Sequence, residues 1–133
     1  MRIDILTLFP AMFTPFLEES IIKRAIEKGL VTFNIINFRD FTTDPHHKVD
    51  DTPYGGGPGM VLCLQPIVDA LESVRTSSSK VILLTPGGTT YNQKKAKSLS
   101  LEKHLIIICG HYEGFDDRIK LFVDEEISIG DFV

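Results

Sequence analysis

The sequence predicts an α/β fold: a mostly parallel sheet covered by helices on both faces. Two observations predict it. Val81-Ile82-Leu83-Leu84 and Leu105-Ile106-Ile107-Ile108 are aliphatic without alternation. Strands apolar on both sides belong in a sheet buried on both faces, which is where parallel strands occur. Such segments also alternate with stretches of helical periodicity and end in glycine-containing turns, the rhythm of successive β–α units. At 133 residues the chain suffices for one domain with a modest core.

Taken in order, Arg2 to Phe9 reads as the first strand, carried by Ile3, Ile5, Leu6 and Leu8. Pro10 opens a turn into a helix around Met12 to Glu18. Ser20 is the expected N-cap of a second helix whose apolar face is Ile21, Ile22, Ala25 and Ile26, and Gly29 stops it. Val31 to Phe38 is the second strand. Residues 40 to 59 are rich in proline, glycine and aspartate and poor in aliphatics, so a long loop is expected, mobile without a partner. A helix runs from Gln65-Pro66 through Arg75 on Ile67, Val68, Leu71 and Val74. Lys80 to Leu84 is a strand, Thr85 to Gly88 a turn, and about Asn92 to Leu99 a lysine-rich helix. Leu105 to Cys109 is a strand, Gly110 to Gly114 a turn, and Asp116 to Val123 a helix. Ile127 to Ile129 is a last short strand, closed by Gly130.

Composition narrows the function classes. Hydrophobic residues at 43% and charged residues at 24% are ordinary for a globular protein. No apolar run approaches the roughly 18 residues of a membrane span. The start, Met1-Arg2-Ile3-Asp4, lacks the features of a signal peptide, so a cytoplasmic location without membrane association is expected. Cys63 and Cys109 lie in apolar stretches and read as buried free thiols. A net charge of −4 excludes a chain that coats nucleic acid by charge alone.

Three consecutive strands end in glycine-bearing turns. In an open parallel sheet, ligands bind beyond the carboxyl ends of the strands, and glycine there lets the main chain approach a ligand. Each turn alone is an ordinary βα connection; three in series favour a pocket built largely of backbone. The richest glycine run, Tyr54-Gly55-Gly56-Gly57-Pro58-Gly59-Met60, has no Gly-Lys-Ser/Thr and does not open a helix. It is neither a P-loop nor a dinucleotide fingerprint. It reads as a segment able to wrap a flat or bulky substrate, or as a solvated loop.

Asp50-Asp51-Thr52-Pro53-Tyr54-Gly55-Gly56-Gly57-Pro58-Gly59-Met60 resembles a signature of bacterial tRNA (guanine-N1)-methyltransferases of the trefoil-knot (SPOUT) class. Gly110-His111-Tyr112-Glu113-Gly114-Phe115-Asp116-Asp117-Arg118 resembles their second signature, and Ser128-Ile129-Gly130-Asp131-Phe132-Val133 the start of their third. Ile5-Leu6-Thr7-Leu8-Phe9-Pro10-Ala11-Met12-Phe13 is also similar. The resemblance covers the whole chain, in order. Two departures stand out: the first cofactor loop is usually Ser-Pro-Gln-Gly but here is Thr85-Pro86-Gly87-Gly88, and Thr52 stands where arginine is common.

The resemblance implies methyl transfer from S-adenosylmethionine to N1 of the guanosine 3′ of the tRNA anticodon, by a homodimer, with magnesium implicated. It implies cofactor contacts at Leu84, Thr85, Pro86, Gly88, Gly110, Tyr112, Gly114, Ser128, Ile129, Gly130, Asp131, Phe132 and Val133. It implies substrate contacts at Tyr54, Gly55, Gly56, Gly57, Gly59 and Met60. The family's aspartate base and its assisting arginine fall downstream of the third signature, so neither role is given to a residue here. Residues 1–133 are then expected to be a cofactor-binding domain cut short, its knot incomplete, its helical tRNA-binding domain absent, and inactive alone.

Glu113 is the candidate for substrate contact or help with a metal; a helix-capping glutamate is its plain alternative. Arg118 pairs with Asp116 or Asp117, or contacts substrate. His46-His47 beside Asp44 and Asp50 read as a solvated loop before a metal site, and Lys94, Lys95 and Lys97 as a solvated helix face before an RNA contact. A non-catalytic module binding RNA or a nucleotide is the alternative function. A methyltransferase of the same class acting on rRNA is a third, against which the long-loop signature speaks.

Overall fold

A computed structural model describes residues 1–46, 48–51, 61–110 and 114–132. The strands are β1 (Arg2–Thr7), β2 (Thr32–Asn37), β3 (Asp50–Asp51), β4 (Val61–Leu62), β5 (Ser79–Thr90), β6 (His104–Ile108) and β7 (Glu125–Ser128). The helices are α1 (Thr14–Leu17), α2 (Ser20–Glu27), α3 (Leu64–Val74) and α4 (Gln93–Leu99). Five strands form one sheet in the order β2-β1-β6-β5-β7, and every neighbouring pair is parallel. The α/β expectation therefore holds.

Each face of the sheet carries its own core. On one face Leu6, Val81, Leu83, Ile106 and Ile108 meet Ile67, Ala70 and Leu71 of α3. This is the apolar stripe anticipated from the spacing of Ile67, Val68, Leu71 and Val74. On the other face Ile82, Leu105 and Ile127 meet Leu99 of α4. Alternation decides the assignment, since successive residues of a strand point to opposite faces. Asn92 starts α4 by accepting a hydrogen bond from the Lys95 backbone N–H at 2.9 Å.

Several element boundaries differ from the sequence reading. The first helix is split into a 3-10 turn, Pro10–Met12, and the single turn α1. Ser20 is the first helical residue of α2, not its cap; Glu19 precedes it in an extended conformation with no side-chain cap bond, and Ser20 itself has φ 55°. The apolar face of α2 is only half covered: Ile22, Ala25 and Ile26 are partly buried, while Ile21 is 72% exposed. Asp117–Phe122 is a 3-10 segment in place of the expected α-helix. The last strand is Glu125–Ser128, starting two residues earlier than Ile127.

The long loop is also more structured than its composition suggests. Phe38–Phe41 forms a 3-10 turn, and Val49 is buried in the α3-side core. Asp50–Asp51 pairs antiparallel with Val61–Leu62. A few apolar residues, Phe38, Phe41 and Val49, suffice to anchor the first half of a segment otherwise made of polar and turn-forming residues.

Candidate functional site

The site expected from the sequence is the carboxyl edge of β6, β5 and β7, which lie side by side. The sequence predicts that the strand ends at Leu84 and that Thr85 to Gly88 turns toward a helix from about Asn92. Instead, β5 continues to Thr90. Leu84 and Thr89 both pair with Ile127, so the chain between them, Thr85 to Gly88, is pushed out of the ladder as a bulge. Pro86 cannot donate to a ladder and sits in this extruded part, exposed. Gly88 returns the chain to β7 at a distance no side chain permits: a Cβ there would lie 2.6 Å from both the Glu126 carbonyl carbon and the Ile127 nitrogen. The Tyr91 N–H then donates to the Ser128 carbonyl at 2.7 Å, continuing the pairing. The glycine turn of β5 is thus pinned at both ends.

The second loop leaves β6 through Cys109, whose N–H donates to the Leu6 carbonyl at 2.9 Å. Gly110 follows, exposed, with the Phe115 ring across it; a Cβ would lie 2.6 Å from that ring. Gly114 has φ 114°, a conformation that favours glycine. Its carbonyl accepts from the Leu62 N–H at 2.9 Å, and the Asp116 N–H donates to the Leu62 carbonyl at 3.1 Å. β4, the exit of the glycine-rich segment, is therefore fastened to the return of the second glycine loop. Tyr112 and Glu113 lie outside the described residues, as do Tyr54, Gly55, Gly56, Gly57, Gly59 and Met60, Thr52, His47 and Val133.

The third segment leaves β7 through buried Ser128, whose hydroxyl donates to the Gly130 carbonyl at 3.0 Å. That bond turns the chain tightly after the strand. Ile129 and Phe132 are exposed at 66% and 71%, and Asp131 is exposed. The Phe132 ring lies over Gly130, leaving no room for a Cβ. Gly110, Gly114, Ser128, Ile129, Gly130, Asp131 and Phe132 thus lie at or beyond the ends of β6 and β7, while Leu84, Thr85, Pro86 and Gly88 lie within β5, at and in the bulge opposite Ile127.

Charged side chains elsewhere on the sheet and its loops are mostly committed to each other. Glu125 bonds Lys95 and also pairs with Lys80 at 3.3 Å. The Lys95 bond, with Lys80, holds its carboxyl below the usual range. Lys94 and Lys97 remain on the exposed face of α4, as the solvated reading of that helix expects. Arg118 forms a two-point pair with Asp116 at 3.0 and 2.6 Å, which keeps the Asp116 carboxyl ionised to lower pH than usual. Asp44 accepts from the backbone N–H groups of Lys48 and His46, which lower its pKa. It closes a local turn, and among the described residues no three His, Cys, Asp or Glu side chains gather to hold a metal. Neither Cys63 nor Cys109 is in a disulfide, both are partly buried where full burial was expected, and burial pushes the Cys109 thiol up to about 11. Among the described residues no helix is long and apolar enough to cross a membrane.

An apolar groove of about 380 Å³ opens on the α4 side of the sheet, lined among others by Ile3, Leu84, Tyr91, Leu99, Ile127 and Ile129. It shares Leu84 and Ile129 with the glycine loops. Sequence reasoning singled out neither Tyr91 nor Phe115. Their positions, directly before a helix cap and directly after a glycine turn, are the signals that point to them.

The family model described as tRNA (guanine-1)-methyltransferase TrmD matches residues 1–133. Among curated relatives, a tRNA (guanine-N(1)-)-methyltransferase of Malacoplasma penetrans is 61% identical over 133 residues, covering 100% of this chain and 59% of its own length. Proteins of that same name from Carboxydothermus hydrogenoformans and Anoxybacillus flavithermus are 58% and 59% identical, with 53% and 56% of their lengths covered. The chain thus spans a little over half the length of these relatives. It belongs to the tRNA (guanine-1)-methyltransferase (TrmD) family.

Proposed function

We propose that residues 1–133 form the methyl-donor-binding domain of an enzyme that methylates N1 of the guanosine 3′ of the tRNA anticodon. One observation carries this reading: three glycine-bearing segments belong to the adjacent parallel strands β6, β5 and β7, one after β6, one after β7 and one in the β5 bulge opposite Ile127. The residues present fit S-adenosylmethionine. Gly88, Gly110 and Gly130 let the main chain pass close to β7, Phe115 and Phe132, where a Cβ has no room, and exposed Gly110 leaves backbone groups for hydrogen bonds to a nucleoside edge. Leu84, Ile129 and Phe132 supply apolar surface for a flat base. When bound, the cofactor supplies an electrophilic methyl group on a sulfonium.

What this chain's own residues do is position. The bulge pinned by Ile127 fixes the first loop, the Leu62 bridge fixes the second, and the Ser128 hydroxyl fixes the third. Guanine N1 carries a proton at neutral pH, so transfer also requires a base near N1 and donors at O6. No described residue is assigned either role. Glu113 stays within the proposal as a substrate or metal contact, and Tyr112 and Val133 as cofactor contacts. The segment from Tyr54 to Met60 is proposed to embrace the substrate, since its flanks β3 and β4 lead to the second loop. No ligand set for magnesium gathers among the described residues. The enzyme is proposed to act as a cytoplasmic homodimer, each site drawing on both subunits.

The direct test is methyl transfer by the full-length protein to tRNA bearing guanosine or adenosine after the anticodon. Transfer to the first and none to the second is expected. Equal labelling of both, or of neither, would overturn the assignment.

A further inference from the structure

At the end of the sheet opposite the glycine loops lies a row of polar side chains that the proposed function does not use. Asp4 of β1 is fully buried and His104 of β6 is 4% exposed. One ring nitrogen of His104 bonds the Asp4 carboxyl, and the other lies 2.6 Å from the Ser79 hydroxyl of β5. Ser79 also accepts from the Thr76 N–H at 2.8 Å. On the other side, Asn34 of β2 donates to Asp4 at 2.9 Å, and Arg2 pairs with Asp4 at 3.0 Å. The row thus joins four neighbouring strands, one residue from each, with Arg2 alongside. Asp4 faces Asn34 in register, and His104 faces Ser79 in register. Asp4 stands opposite Ile106, so its link to His104 is diagonal.

We infer that this row sets the register of the sheet. The remaining residues of β6, Leu105-Ile106-Ile107-Ile108, are aliphatic on both faces, and so is Val81-Ile82-Leu83-Leu84 of β5. Sliding β6 by one residue exchanges its two faces yet puts aliphatic side chains on aliphatic side chains, so the hydrophobic pattern barely opposes it. His104 opposes it strongly. The slip carries the imidazole to the α4 face and takes its bond away from the fully buried Asp4 carboxyl, which keeps only Arg2 and Asn34, and from the Ser79 hydroxyl, which keeps only Thr76. The polar row selects one register among several that burial alone tolerates, a use attested for single buried polar groups elsewhere. Because the strands are stiff, the choice made at His104 also fixes the heights at which Gly110, Gly88 and Ser128 emerge. This holds whatever ligand those loops take.

The test replaces the central pair by hydrocarbon, Asp4→Leu with His104→Leu, in the full-length protein, and reads backbone amide resonances and cross-strand contacts of residues 104–108. This variant leaves no orphaned carboxyl, and Ser79 keeps Thr76. A folded protein whose β6 amides double or broaden, with contacts from more than one register, is the expected result. A single sharp set with the native Leu6–Ile108 pairing would overturn the inference. Should the double variant fail to fold, His104→Gln, which can still reach Asp4, is compared with His104→Leu. One register for glutamine and several for leucine supports the inference; one register for both overturns it.

Discussion

Gly88 and Ile127 touch through their backbones: a Cβ on Gly88 would stand 2.6 Å from the Ile127 nitrogen. The neighbour Gly87 has nothing within 4 Å of the same position. Two adjacent glycines therefore have different reasons to be there. Gly88→Ala must push β5 from β7 and is expected to cost about 1–3 kcal/mol, the range of overpacking. Gly87→Ala is expected to change stability by less than about 0.5 kcal/mol, as surface substitutions do. Denaturant unfolding of both variants checks this, and equal effects would remove the case for a bulge pinned at Ile127. Gly87 also faces open space, so Gly87→Gln should be accommodated with no loss of stability.

Cys109 offers a readout of the sheet beneath the second loop. Burial pushes its thiol up to about 11, so little thiolate exists at neutral pH. Alkylation by iodoacetamide at pH 8 is expected to run at least about tenfold slower in the folded protein than in the denatured chain, where the thiol ionises near 8.5. The sign for stability follows. Above about 8.5 the unfolded thiol loses its proton first, so stability contributed by this group falls as the pH rises from there toward 11. Equal alkylation rates in the folded and denatured chains would show the thiol to be exposed.

Glu125 ties β7 to α4 and β5. Its carboxyl is held low by Lys95 first and then by Lys80. A depressed folded value means that the stabilisation is complete above the ordinary glutamate value of about 4.3 and is lost as the pH falls through the folded value. Lys95→Met is expected to move the Glu125 titration midpoint upward, toward the ordinary value, in carboxyl-detected NMR. An unmoved midpoint would show that the pair contributes nothing in solution.

The sheet was legible because β5 and β6 are aliphatic on both faces, a pattern suited to strands covered on both sides. The helices α3 and α4 were legible for similar reasons: a clear stripe in one, Asn92 as a cap in the other. What the sequence hid was geometry decided by a partner strand. Thr85-Pro86-Gly87-Gly88 has the composition of a turn, and only Ile127 shows that the chain rejoins the ladder at Thr89. Ser20 has the chemistry of a cap but sits one residue inside α2, and Asp116–Val123 has the composition of a helix but winds as a 3-10 segment after Asp116 caps Arg118. Within the site, the glycines of the three loops were readable singly. Their grouping in one pocket was also anticipated; the strand order β6-β5-β7, with β5 in the middle, was not, because it is not chain order.

The central claim is that the ends of β5, β6 and β7 hold the methyl donor. Titration of S-adenosylhomocysteine into isotope-labelled full-length protein tests it directly, following each backbone amide. The account predicts saturable shifts concentrated at Leu84, Gly88, Gly110, Gly114, Ser128 and Gly130. Shifts confined to the far end of the apolar groove, at Met1, Ile3 and Leu99, or no binding at all, would contradict it.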